Sequence, residues 1–263
     1  MLIDTHAHID GEEFDADRLE VVSHAKAAGV GSVFIPNVNV AGVGKMLQVC
    51  AEYPGYLYPM VGLHPEDVND DYLKALDTLE RMITPDNPFI AVGEVGLDFY
   101  WDTTFRAQQV EAFQTQVEWA LRYDLPLMIH SRSAHQELVE ILEKYRGRGL
   151  TGVFHCFTGT EEEARQLLSF DGFVLGIGGV LTFKKSQLPE VLARVVPLER
   201  VVLETDSPYM APVPHRGKRN ECAFVAEVAK CLSQVYQVEE EVIETTTTDN
   251  ATRIFKKYRP LRS

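Results

Sequence analysis

The residues of this 263-residue chain best suited to chemistry are histidines and carboxylates that close short apolar runs. His6 and His8 stand two apart in Thr5-His6-Ala7-His8. Side chains two apart in a strand share a face, so both rings can grip one cation through an imidazole nitrogen. Such a pair means little by itself. Here it is followed by Glu94 after Gly93, His130 after Ile129, His155 after Phe154 and Asp206 after Thr205. Imidazoles mixed with carboxylates suit divalent Zn, Mn or Mg. Six ligands are too many for one catalytic ion with an open position. The expectation is two divalent cations, about 3.5–4 Å apart, sharing Glu94 and a bridging hydroxide that attacks an electrophilic centre. His6, His8 and Asp206 would hold the first, and His130 and His155 the second. Asp206 would also act as general base.

Each of these residues has a plainer explanation when taken alone. His130 or His155 could be a hydrogen-bonded core histidine, Glu94 a helix-capping anion, and Asp206, before Ser207-Pro208, the start of a turn. Jointly, those explanations would require five strand ends to gather metal-type ligands without purpose. His24 and His135 fall in predicted helices and are read as exposed surface.

Bringing these groups together requires a frame, and the chain repeats one. Eight β-rich runs, at 1–6, 32–36, 57–62, 89–93, 127–130, 152–155, 173–177 and 201–204, alternate with helical stretches. Such alternation implies right-handed crossovers and a parallel sheet. Eight units point to a closed (β/α)8 TIM barrel, an α/β fold that takes about 250 residues and builds active sites at the C-terminal strand ends. Helices are predicted over 15–28, with Leu19, Val22 and Ala25 facing the core, and over 103–122, with Phe105, Val110, Phe113, Val117 and Ala120 buried. A capping box at Thr160–Glu163 starts another through 168, and Asp249-Asn250 caps a last helix through 257. No linker or repeat interrupts the chain, so one domain over 1–263 is expected.

Hydrophobic residues make up 45% of the chain, enough for a large core, and the formal net charge is −14. That charge repels nucleic acid at long range, so a nucleic-acid substrate would need a local basic patch. Cys50, Cys156, Cys222 and Cys231 form no metal or disulfide spacing and read as buried reduced thiols. No apolar run approaches bilayer-spanning length, and the first residues lack the features of a signal peptide. The expectation is a cytoplasmic protein with no membrane association, taken as a monomer.

At these residues the chain resembles the TatD family of metal-dependent deoxyribonucleases, within the amidohydrolase superfamily. The resemblance runs through Ile3-Asp4-Thr5-His6-Ala7-His8, Val61-Gly62-Leu63-His64-Pro65 and Gly93-Glu94-Val95-Gly96-Leu97-Asp98. It continues through Leu125–Arg132, His155-Cys156-Phe157-Thr158-Gly159, Leu203–Tyr209, Pro214–Lys218 and Asn220. It implies a (β/α)8 barrel, divalent metals on His6, His8, Glu94, His130, His155 and Asp206, and hydrolysis of DNA, of the 3'-5' exonuclease type. Some members lack the first histidine pair, which this sequence keeps. Cys222 stands where the family often has proline.

Around the expected ligands, His64 is a candidate for reaching the scissile phosphate or leaving group, or for bonding a ligand. Glu204 is expected to orient a ligand or water, and Asp98 and Arg132 to do likewise, with Arg132 alternatively pairing with phosphate. Candidate phosphate contacts follow runs seven and eight: Lys184-Lys185, then His215, Arg216 and Lys218, with Tyr209 placed to stack on a base. The patch is small, which favours short or single-stranded DNA ends as substrate. The rival reaction is hydrolysis of a small amide, lactone or ester by the same two-metal hydroxide. Many such barrels bridge their metals with a carbamylated lysine on strand 4, and run four holds no lysine.

Overall fold

Each of the eight runs forms a strand in the computed structural model, which describes residues 1–259. In chain order the elements are β1 (Leu2–Asp4), α1 (Arg18–Ala27), β2 (Val30–Ile35), α2 (Val43–Glu52), β3 (Leu57–Pro59), α3 (Tyr72–Glu80), β4 (Val92–Asp98), α4 (Arg106–Tyr123), β5 (Leu127–Arg132) and α5 (His135–Glu143). They continue with β6 (Gly152–Phe154), α6 (Glu161–Leu168), β7 (Phe173–Ile177), α7 (Leu188–Val195), β8 (Val201–Leu203), α8 (Val225–Tyr236) and α9 (Glu240–Ile254). All sheet pairings are parallel and follow chain order, β1-β2-β3 and β4 through β8. Backbone bonds close the two seams. Gly93 N–H donates to Val61 O across one, and Thr5 N–H to Leu203 O across the other. The result is a (β/α)8 barrel.

Strand alternation sorts the side chains into two cores. Outward residues such as Leu127, Ile129, Phe154, Leu175 and Leu203 pack against the helices. Inward residues near the strand starts, including Ile3, Phe34, Met128, Val153, Val174 and Val202, form a second cluster inside the barrel. Ala251 and Ile254 at the end of α9, then Phe255 and Tyr258, pack onto it and close the floor. Burying each such large side chain stabilises by about 1.5–3 kcal/mol. Two residues above the floor, the same inward positions carry His130 after Met128, His155 after Val153, Gly176 after Val174 and Glu204 after Val202. An apolar floor therefore lies directly beneath a polar mouth.

Some expectations need correction. Run four was expected to end at Gly93, but β4 continues to Asp98, so Glu94 lies inside the strand. Gly93 and Gly96 hide the alternation that Val92, Val95 and Leu97 carry. A register irregularity between Gly93 and Val95 leaves Glu94 out of regular pairing and re-aims its side chain inward. The last helix begins at Glu240 rather than at Asp249-Asn250. Its buried face, Ile243, Thr247, Asn250, Ala251 and Ile254, has helical spacing, and packing overrides the weak propensity of Thr245–Thr248. Helix α1 starts at Arg18, and Leu19 is 72% exposed while Val21, Val22 and Ala25 are buried. The capping box at Thr160 and Glu163 is present. Cys50 and Cys222 are buried, Cys156 and Cys231 only partly, and all four are free. No described helix is long and apolar enough to cross a membrane. Residues 260–263 of the expected 1–263 domain lie outside the described residues.

Candidate active site

Glu94 is the centre of the mouth, and its two carboxylate oxygens face different imidazoles. Oε2 stands 3.1 Å from His6 Nε2 and 3.5 Å from His8 Nε2. Oε1 stands 3.0 Å from His130 Nδ1, 3.0 Å from His155 Nε2 and 3.4 Å from His64 Nε2. Asp206 Oδ1 joins the first side, 3.7 Å from His6 Nε2 and 3.5 Å from His8 Nε2. The structure thus brings all six expected ligands together, with His64 beside them.

Buried polar groups fix this arrangement from behind. Asp98 Oδ2 lies 2.9 Å from His130 Nε2, which leaves Nδ1 turned to Glu94. Glu204 Oε1 accepts from Cys156 N–H at 2.5 Å and lies 3.4 Å from His155 Nδ1. Its carboxylate fits because Gly176, on the neighbouring strand β7, has no Cβ; one there would lie 2.2 Å from Glu204 Oε2. Asp4 ties β1 to the chain after β8, accepting from Thr205 N–H and Thr205 Oγ1–H. Asn220 Nδ2 donates to Thr205 O and Tyr209 O, clamping the loop that carries Asp206. On α4, Gln116 bonds both backbone groups of Leu63, just before His64, and Gln109 Oε1 accepts from Asp98 N–H.

The electrostatics are those of a cation cage. Burial alone would push the Glu94 carboxyl up; His6, His155 and His64, with the bond to His130, reverse this and hold it well below the usual range. Burial likewise opposes ionisation of Asp206, but the bond to His8 and the nearby His155 and His6 bring it down. Burial pulls His130 down, but bonds to Asp98 and Glu94 raise it to about 9. Burial, then His155, lower His6. The donor set fits a metal. His6 and His8 turn their Nε2 atoms to within 3.3 Å of each other. On the far side of these rings, His6 Nδ1 and His155 Nδ1, with Glu204 Oε2, are buried with no hydrogen-bond partner. Four donors about 2.1 Å from one ion in a tetrahedron stand roughly 3.4 Å apart, and the nitrogen–oxygen separations around Glu94 and Asp206 run from 3.0 to 3.7 Å.

The expected substrate contacts divide. Tyr209 lies at the rim, 56% exposed, with its ring centroid 6.2 Å from that of His8. Arg132, at the end of β5, stacks over Tyr100 and Trp101. Arg216 stacks over Phe183 at 3.7 Å, and Lys218 is exposed. His215 is not brought to the cluster. Its ring lies flat on Phe224, 3.7 Å away, near Glu227. Arg219, part of the same basic run, is paired with Asp17. His24 is exposed as expected, but His135 is half-buried because its Nε2 bonds Gln166 of α6 at 2.7 Å.

Sequence reasoning missed Gln109 and Gln116. Their seven-residue spacing within the apolar stripe of α4 was the available signal. It also missed Tyr100 and Trp101, an aromatic pair directly after the β4 end.

A family model described as TatD related DNase matches residues 3–256. The uncharacterized metal-dependent hydrolase YabD of Bacillus subtilis (strain 168) is 35% identical over 97% of this chain and 99% of its own. A protein of Cronobacter sakazakii named 3'-5' ssDNA/RNA exonuclease TatD is 32% identical, covering 97% and 98%. The crystal structure of YJJV, a TatD homolog from Escherichia coli K12, superposes with a TM-score of 0.87 at 30% identity, covering 97% of this chain and 98% of that one. With a barrel mouth lined by imidazoles and carboxylates and a family match along nearly its whole length, the chain belongs to the TatD-related DNase family and is a metal-dependent hydrolase.

Proposed function

We propose that the chain hydrolyses phosphodiester bonds at DNA ends, as a 3'-5' exonuclease of single-stranded termini that works with two divalent cations. The observation that carries this reading is the division of Glu94, one oxygen turned to His6 and His8 and the other to His130, His155 and His64. His6, His8 and Asp206 would hold one cation, His130 and His155 the other, and Glu94 both. When bound, such ions activate water near neutral pH and neutralise charge on the phosphoryl group.

The chain's own groups do the rest. Asp206, held as a carboxylate beside His6 and His8, takes the proton of the attacking water. His64 Nδ1 accepts from Glu66 N–H at 3.2 Å. A neutral ring then carries its proton on Nε2, the atom that faces Glu94, and can donate it to the phosphate or the leaving oxygen. Asp98 bonds the ring of His130, and Glu204 stands 3.4 Å behind that of His155, the positions such partners take behind metal ligands. Arg132, Arg216, Lys218 and the exposed Lys184 and Lys185 supply positive charge at the mouth of an acidic chain. So small a patch favours ends and single strands over duplex. The exonuclease name of the Cronobacter relative supports the same polarity and strandedness.

The test is a time course on end-labelled single-stranded DNA, duplex DNA and RNA with Mg2+, Mn2+, Zn2+ or EDTA. Ladders shortening from the 3' end, lost with EDTA and with Glu94→Ala, are expected. No cleavage with any metal, beside turnover of a small lactone or amide, would replace this reading with carbonyl hydrolysis.

A further inference from the structure

Two large aromatic side chains stand in solvent immediately past the end of β4. Tyr100 is 56% exposed and Trp101 65% exposed, their rings edge to face at 4.8 Å. Aromatic side chains of this size are mostly buried, and adjacent exposed ones mark a surface that meets a ligand or partner. These two are held in position. Tyr100 N–H donates to Asp98 Oδ1, Phe99 N–H to Arg132 O, and Arg106 stacks on Phe99. The Arg132 guanidinium lies 3.9 Å from the Tyr100 ring centroid and 4.9 Å from that of Trp101. Among the described residues no carboxylate pairs with Arg132. Its face is engaged while its N–H donors stay free.

The location ties this feature to the chemistry. Asp98, which anchors Tyr100, also bonds His130. Strands β4 and β8 lie opposite each other in the eight-strand ring. Across the mouth, beyond β8, stands the other exposed aromatic of the rim, Tyr209, beside His8. Largely exposed rings backed by a guanidinium with no carboxylate partner are the chemistry that holds unstacked bases and their phosphates.

We propose that Tyr100 and Trp101, backed by Arg132, form a stacking platform for unpaired bases of a single-stranded nucleic-acid end, seating the strand across the metal-binding cluster. The proposal rests on the nuclease reading above and names what that site recognises: the base faces, independent of sequence.

Two readouts test it. Of the two tryptophans, Trp119 is 1% exposed, so fluorescence quenching by added ligand reports on Trp101. A short oligothymidylate should quench the wild type in EDTA, and the same oligomer with abasic terminal residues should not. Trp101→Phe, lacking the reporter but keeping a ring, should retain wild-type KM. Trp101→Ala should raise KM about tenfold on base-bearing ends, equivalent to ~1.4 kcal/mol, and match the wild type on abasic ends. Cleavage of oligonucleotides without quenching, or an equal loss on abasic and base-bearing ends, overturns the platform and leaves the nuclease reading intact. Base-dependent quenching without cleavage under any metal supports the platform and removes the nuclease reading.

Discussion

Gly176 sits on the inward face of β7, where a Cβ would lie 2.2 Å from Glu204 Oε2 and 3.1 Å from His155 Cα. Gly176→Ala therefore forces Glu204 to move. That carboxylate is fully buried, accepts from Cys156 N–H and stands 3.4 Å from His155 Nδ1. The bond from Cys156 N–H to this buried carboxylate is worth ~1.5–3 kcal/mol. Losing the carboxylate behind a ligating histidine costs about 10- to 100-fold in metal affinity, the expectation for His155 in its proposed role. In the variant, Mn2+ affinity on the His130–His155 side should fall by roughly that factor, with the His6–His8–Asp206 side unchanged. Calorimetric titration of the EDTA-stripped protein reads both steps, and circular dichroism checks the fold. Wild-type affinity in both steps would refute the reasoning. Equal weakening of both would trace the effect to general disruption rather than to Glu204.

Three other outcomes are expected. Asn250 Nδ2 donates to Leu198 O and Val201 O, pinning α9 to the start of β8. Asn250→Ala removes one donor to Val201 O and one of two donors to Leu198 O, which keeps Val201 N–H, and should cost ~1–3 kcal/mol in urea unfolding; a loss below ~0.5 kcal/mol would contradict that. Stripping metal removes a ligand worth ~2.7 kcal/mol at a hundredfold excess over Kd, so EDTA should lower Tm by about 5–10 °C, and an unchanged melting curve would count against a metal-linked fold. Gly44 lies inside α2, and a Cβ there meets nothing within 4 Å. Gly44→Ala should raise stability by ~0.4–1 kcal/mol without changing hydrolysis, checked by denaturation and activity together.

How far the sequence reveals this molecule depends on the kind of signal each residue carries. His130, His155 and Glu204 were legible because a polar residue closing an apolar run at strand parity has few other uses. Glu94 was legible as a candidate ligand but misplaced as a strand end, because glycines carry no hydrophobicity to continue the pattern. Helix α9 was hidden by four consecutive threonines, and Asp249-Asn250 imitates a cap. Asn250 in fact faces inward to bond strand carbonyls, a use fixed by tertiary neighbours alone. His135 reads as surface until α6 packs beside it. The roles of Tyr100 and Trp101 depend on exposure, which hydrophobicity predicts with the wrong sign. His215 joined the expected contacts through its basic neighbours, but an imidazole can also stack, and Phe224 of the following turn claims it.

The charge balance of the mouth argues for the number of cations. Glu94, Asp98, Glu204 and Asp206 face the imidazoles with side-chain exposures of 4%, 0%, 0% and 16%. Asp4 stands apart, both of its oxygens taken up by Thr205. Unmatched carboxylates this dry cost several kcal/mol each. Imidazoles that act as ligands must be neutral, so they contribute no compensating charge, and Arg132, stacked on the aromatic rings outside, reaches only Asp98 among these carboxylates. Two divalent cations, with Arg132 acting on Asp98, would bring five positive charges against four carboxylates and a bridging hydroxide. A single ion would leave two of these negative charges uncompensated around buried donors. Metal content after equilibrium dialysis, measured by mass spectrometry, should therefore approach two ions per chain, and Asp206→Asn should lower it towards one. Full activity in a protein that saturates at one ion per chain would break this argument, because the remaining charge would then have to be carried by protons on the same nitrogens that the reading assigns to metal.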